Sequence, residues 1–194
     1  MLILLPKAGT YARAQARIER PFKSMGAVMN VIAARMERAV RRNFAVGGRP
    51  VPWPVSRRAM EDGGKTLIDR GILLNSIQRS HNQNSATVFT RDKRAAIHQF
   101  GGVILPVHAK ALTIPISKEA RGKRARDFPR GQTFLLKREG KAPLIMLRQE
   151  GGIVTPLFVL LRSVKIPARP FIRPTDHDIE EYREMIAGAV IKKT

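Results

Sequence analysis

The sequence predicts an α+β protein: a small antiparallel sheet with packed helices, a long β insertion carrying a basic loop, and a C-terminal helix. Three observations predict it. Met25, Val28, Met29, Ile32, Met36 and Val40 recur at spacings of three and four. That is one face of a helix of about five turns running toward Phe44. Leu112, Ile114 and Ile116 alternate with polar or small residues, and 133–137, 143–147 and 152–161 read as further strands, with glycine turns at Gly140 and Gly151-Gly152. Thr175 with Asp178 three residues on has the pattern of a capping box, and an apolar stripe of Ile179, Tyr182, Ile186, Ala189 and Val190 follows it. The expected organisation is an N-terminal arm over 1–23 and a single α+β domain over 24–194, with the β insertion at about 110–160.

The elements follow in order. The arm carries Arg13, Arg17 and Arg20 and reads as a segment that orders on a partner. Ser24 is the expected N-cap of the first helix, and Gly47-Gly48 its stop. The helix's arginines, Arg35, Arg38, Arg41 and Arg42, lie largely off the apolar stripe. They suit a solvated face or a DNA-reading one. Arg49 to Pro54 is a stiff extended loop whose Trp53, between prolines, is expected to cap the core. A helical piece at 56–60, a turn at Asp62-Gly63-Gly64, and a short helix using Leu67, Ile68, Ile72, Leu73 and Ile77, broken or started near Gly71, come next. Residues 85–90 read as a strand after the polar turn 81–84. Ala95 to Phe100 precedes Gly101-Gly102, a chain-reversal signal. The segment 118–130 holds Lys118, Arg121, Lys123, Arg124, Arg126 and Arg130 against Glu119 and Asp127; with no repeating apolar position it is expected to be a mobile loop. Between the last strand and the last helix, three prolines within 167–174 force an extended connector. It is expected to bury Phe171, with Ile166 as a second apolar plug, and to present the Arg169 guanidinium for docking. A plain linker is the other reading.

Composition sets the class of partner. Thirty-six basic residues face 15 acidic ones, a net charge of +21, which attracts a polyanion or an acidic protein. One Trp and two Tyr supply base stacking poorly. With no cysteine, disulfides and thiolate metal sites are excluded. Met1 to Pro6 is too short for a signal or membrane segment and no other run reaches membrane length, so no membrane partner is expected and the chain reads as cytosolic when made.

Chemistry is thinly provided. Gly63-Gly64-Lys65-Thr66 imitates the end of a phosphate-binding loop, but Ala59 stands where that motif needs its first glycine. His81, His98, His108 and His177 are scattered, and Asp176-His177-Asp178 suits capping better than metal ligation. Ser76 and Ser163 lack a nucleophile elbow. No catalytic, metal or cofactor residue is nominated, and no enzyme activity is expected. The basic loop suits phosphate contacts without sequence readout, or a solvated insertion.

Several stretches together resemble the virion morphogenesis (tail-completion) family of tailed, Mu-like bacteriophages. They are the first helix ending at Phe44, the Gly47-Gly48 turn with Pro52-Trp53-Pro54, the leucine-rich 67–77 with Gly71, and His98-Gln99-Phe100-Gly101-Gly102. The last is Pro167-Ala168-Arg169-Pro170-Phe171 ahead of the terminal helix. The resemblance implies a non-enzymatic neck protein without cofactors. It implies a ring of copies of itself, hexameric, between the head connector or stopper and the tail-terminator or tail-tube proteins. A tail terminator is the neighbouring reading, and a sequence-nonspecific DNA-binding protein the alternative of another class. The expected location is the virion neck at the top of the tail, reached from the host cytoplasm, with the basic loop facing DNA in the channel or an acidic protein wall.

Overall fold

The computed structural model describes residues 25–191; the expected arm over 1–23 and the Ser24 cap lie outside them. The described chain is α+β and forms two compact units. The first comprises residues up to Gly101 and those from Pro167 onward, and the second Gly102 to Ile166.

In the first unit, helix α1 spans Gly26–Val46 and buries Met29, Ile32, Val40 and Phe44 of the predicted face together with Ala33 and Asn43, whereas Val28 and Met36 are half-buried. Gly47 ends it in the left-handed conformation, and the Gly48 amide donates to the Asn43 carbonyl at 2.8 Å. Gly48 has φ +113°, and a Cβ there would lie 2.7 Å from the Trp53 ring, so the turn and the ring it faces demand glycine. Helix α2 spans Arg57–Asp62, capped by the Ser56 hydroxyl, which accepts from the Ala59 amide. Leu67 and Ile68 are not helical: Leu67 has φ +65°. Helix α3 is one turn, Ile72–Asn75, entered through left-handed Gly71. Ile77, expected on that helix, instead opens strand β1 (Ile77–His81), which pairs antiparallel with β2 (Ala86–Thr90). Asn82 Oδ1 accepts from the Asn84 and Ser85 amides and closes the hairpin turn. Helix α4 spans Ala95–Phe100.

The second unit is built on sheets. Strand β3 (Gly102–Ile104) pairs antiparallel with β8 (Val164–Ile166). Strands β4 (Leu112–Pro115), β7 (Val154–Leu161), β6 (Lys141–Arg148) and β5 (Thr133–Arg138) form an antiparallel sheet in that order. Prolines inside strands delete a ladder donor. Here Pro156 stands at the β6–β7 register shift and Pro115 on the edge strand, where the loss is tolerated. Leu147, Leu157 and Phe158 are buried together with Ala120 and Phe128 of the basic segment. Phe128 stands edge-on to Phe158 at 5.9 Å. This corrects the expectation of a mobile loop: two apolar side chains, Ala120 and Phe128, tie the segment down, and the chain between them makes a single turn of 3-10 helix, Ala125–Asp127.

Helix α5 spans Asp176–Ile191 in the first unit. Its capping box is complete: the Asp178 amide donates to Thr175 Oγ1 at 3.2 Å, and Asp178 Oδ2 accepts from the Thr175 amide at 2.8 Å. The packed face keeps Tyr182 and Ala189 of the predicted stripe and adds Met185. Tyr182, Met185 and Ala189 meet Met25, Met29 and Ile32, whereas Ile186 is exposed. Two of the α1 arginines are paired locally. Arg35 pairs with Glu181 of α5 and Arg41 with Glu37.

Candidate functional site

The first unit's core explains why the connector must be where it is. Phe171, with no exposed surface, lies 5.3 Å from Phe44, and Phe44 meets Trp53 edge-on at 5.8 Å. Trp53 therefore caps the core as predicted. Burying Phe171 drags the connector's backbone polar groups out of water, and each must find a partner. Side chains supply them. Asn43, itself wholly buried, donates to the carbonyls of Phe171 at 2.9 Å and Arg173 at 3.0 Å. Gln99 Oε1 accepts from the amides of Phe171 and Ile172, both at 3.0 Å, and its Nε2 donates to the Ile172 carbonyl. The His98 carbonyl accepts the Arg169 amide at 2.7 Å. Two motifs about seventy residues apart are thus one clasp: the His-Gln pair of α4 holds the Arg-Pro-Phe of the connector.

A second polar chain extends the clasp to α5. Arg49 Nε donates to Asn43 Oδ1, and its Nη2 to the Ala39 carbonyl and to Asp178 Oδ2 at 3.0 Å. Burial pushes the Asp178 carboxyl up, but the Thr175 hydrogen bonds and the Arg49 charge outweigh it and hold the group below its ordinary value.

Arg169 corrects the sequence reading. It presents no guanidinium to solvent: it is 6% exposed, and Nε donates to the Pro54 carbonyl at 2.8 Å. Pro167 and Ala168 are exposed, and Pro170 is half-buried. Ile166, the other expected plug, is half-buried in β8, where it pairs with Gly102. Gly101 has φ +69° and ends α4, whereas Phe100, beside the clasp, is 77% exposed. Gly71 opens α3. The loop imitating a phosphate site is used for structure: Lys65 Nζ donates to the Ala45 carbonyl and Thr66 Oγ1 accepts from the Ser56 amide.

Of the basic set in the second unit, Lys118, Lys123, Arg124, Arg126 and Arg130 are exposed and Arg121 is half-buried. Lys123 stands over the Phe128 ring and Arg124 pairs with Asp127. Among the described residues no group of histidine and acidic side chains has the arrangement of a metal site, and no helix is long and apolar enough to cross a membrane. Sequence reasoning missed Asn43 and Arg49. Asn43 breaks the apolar stripe one residue before Phe44, and a polar residue on a buried face was the signal available.

What these residues define is an α+β protein whose recognisable motifs spend their polar groups on each other. The chain belongs to the phage virion morphogenesis family, whose profile matches residues 11–130. The matched stretch contains the His-Gln half of the clasp and ends before the connector. Over 75 residues the chain is 45% identical to "Mu-like prophage FluMu G protein 2" of Haemophilus influenzae, which covers 39% of this chain and 51% of that protein. The chain thus spans about half the length of that relative. No solved structure matches it.

Proposed function

We propose that the protein is a non-enzymatic subunit of the phage neck. Copies of it form a ring, hexameric, that completes the tail and joins it to the head connector. The observation that carries this reading is membership of a virion morphogenesis family. The surface supports it. Val51 and Met60 are each 70% exposed in the first unit and Val107 is 84% exposed in the second, apolar side chains that a subunit packed between neighbours would cover. A ring needs head-to-tail contacts, in which two different patches of one subunit meet. The clasp suits such a part because it fixes α1, α4, the connector and α5 with side-chain hydrogen bonds.

The test is a phage carrying a stop codon in this gene. Lysates should contain filled heads and tails of normal length that remain unjoined, and the purified protein should restore joining in vitro. Tails of uncontrolled length would assign it to the tail terminator instead. Infectious particles lacking the protein would end the proposal.

The exposed basic residues of the second unit favour a second reading, sequence-nonspecific DNA contact. It requires an affinity for duplex DNA that falls steeply with salt, by about 0.9 in logarithmic slope for each phosphate neutralised. Charge reversal at Lys123, Arg124 and Arg126 would flatten that slope. Joining that survives such reversal would remove these residues from assembly.

A further inference from the structure

Arg169 is a buried guanidinium with no acidic side chain paired to it among the described residues. Its one described side-chain hydrogen bond is Nε to the Pro54 carbonyl, which satisfies an N–H without neutralising the charge. An unneutralised buried cation is costly, and buried charges are as a rule paired. The space for an anion is present. Arg169 lines a pocket of about 230 Å³ in the first unit, together with Arg58, Arg70, Arg94, His98 and Asp69. A second orphan lies in the same lining: His98 Nδ1 is buried without a hydrogen-bond partner among the described residues.

The other cations are partly spoken for. Arg94 pairs with Asp92 at 2.6 Å, and Arg58 donates to the carbonyls of Lys65 and Ile68. Asp69 stands 3.9 Å from both Arg58 and Arg70. The lining keeps a positive excess centred on Arg169, with one carboxylate at its edge.

We propose that this pocket binds a carboxylate presented by a protein partner, either an aspartate or glutamate side chain or a chain terminus. The planar guanidinium offers paired donors that match a carboxylate. Asp69 in the lining opposes a doubly charged phosphate more than a singly charged carboxylate. A DNA phosphodiester carries a sugar on each side and is too bulky to bring its oxygens to a side chain only 6% exposed. Leu67 and Leu73, also in the lining, suit the methylenes of an acidic side chain. Burial, and then the Arg169 and Arg94 charges, hold the His98 pKa below its ordinary value, while Asp92 opposes them. His98 is therefore neutral at pH 7 and donates or accepts through nitrogen without adding charge. The partner class follows from the assembly role, but the binding chemistry does not, so the test uses free peptides.

The full chain would be titrated with acetyl-Ala-Glu-Ala-amide, with acetyl-Ala-Ala-Ala bearing a free C-terminus, and with inorganic phosphate. Binding is read from the His98 ring signals in proton–carbon correlation spectra, assigned by their loss in His98→Gln. A saturable shift with at least one peptide is expected, with a dissociation constant on the order of 1 mM. The peptide that binds tells a side chain from a terminus. Arg169→Gln, which keeps a donor for Pro54, should weaken binding about tenfold or more while leaving Trp53 fluorescence folded. Arg70→Ala, on an exposed side chain, should weaken it without risk to the fold. No saturable shift, equal binding of phosphate, or undiminished binding in folded Arg169→Gln and Arg70→Ala would each overturn the assignment.

Discussion

Replacing Asn43 by alanine tests whether the clasp holds the first unit together. Asn43 makes three hydrogen bonds from a wholly buried position: two donated to connector carbonyls and one accepted from Arg49 Nε. A net hydrogen bond contributes about 1 kcal/mol and one with a charged partner about 2 kcal/mol. The three together amount to about 4 kcal/mol. The Arg49 loss is softened because its Nη2 keeps the Ala39 carbonyl and Asp178. The Phe171 carbonyl has no such alternative and is left orphaned beside a ring with no exposed surface. Against a total stability of roughly 5–15 kcal/mol, this is a large fraction. The protein has a single tryptophan, and Trp53 lies in the core that Asn43 flanks. Urea unfolding followed by Trp53 fluorescence therefore reports the first unit directly. With a slope of about 2 kcal/mol per molar urea, the midpoint should fall by roughly 2 M. Val46→Ala on the same helix is an exposed control and should change stability by less than about 0.5 kcal/mol. A loss below about 1 kcal/mol for Asn43→Ala would refute the claim that these bonds seat the connector.

Three further outcomes are expected. Phe128→Ala should destabilise the second unit by about 3 kcal/mol and release the basic segment, seen as faster tryptic cleavage after Lys123 and Arg124 by mass spectrometry. Equal cleavage rates in the two proteins would show that Phe128 anchors nothing. Gly48→Ala, at φ +113° and against the Trp53 ring, should cost more than about 1 kcal/mol in the same urea assay. Acid should lower the stability of the first unit in two stages. His98 and Asp178 both have pKa values below their ordinary ones, so the unfolded chain binds more protons at each. The His98 contribution is complete above about pH 6.5 and is lost as pH falls through that value toward its lower folded one. The Asp178 contribution is complete above about pH 3.9 and is lost below it in the same way. His98→Gln should abolish the first stage of the urea-midpoint profile and leave the second.

The sequence by itself determined the elements whose burial repeats along the chain. The α1 stripe, the strands β4 to β7 and the Thr175–Asp178 box needed only local periodicity and hydrogen-bond geometry. Glycine and proline punctuation placed the turns because those residues restrict φ whatever surrounds them. Tertiary structure decided the rest. Strand β1 has one buried residue, Ile77, and no alternation to announce it, so it exists through its pairing with β2. Residues 118–130 carry no periodic signal, yet Ala120 and Phe128 suffice to anchor them once the sheet supplies Leu157 and Phe158. The face that α5 buries is set by Met25, Met29 and Ile32 of α1, and so by residues no window on α5 contains. Arg169 is the sharpest case. Its charge argues for solvent, but Phe171 two residues on must be buried, and the Gln99 and His98 bonds fix the backbone between them. That pulls the guanidinium inside. Local sequence encodes what a residue prefers, whereas the position it finally takes is set by the neighbour whose burial contributes more.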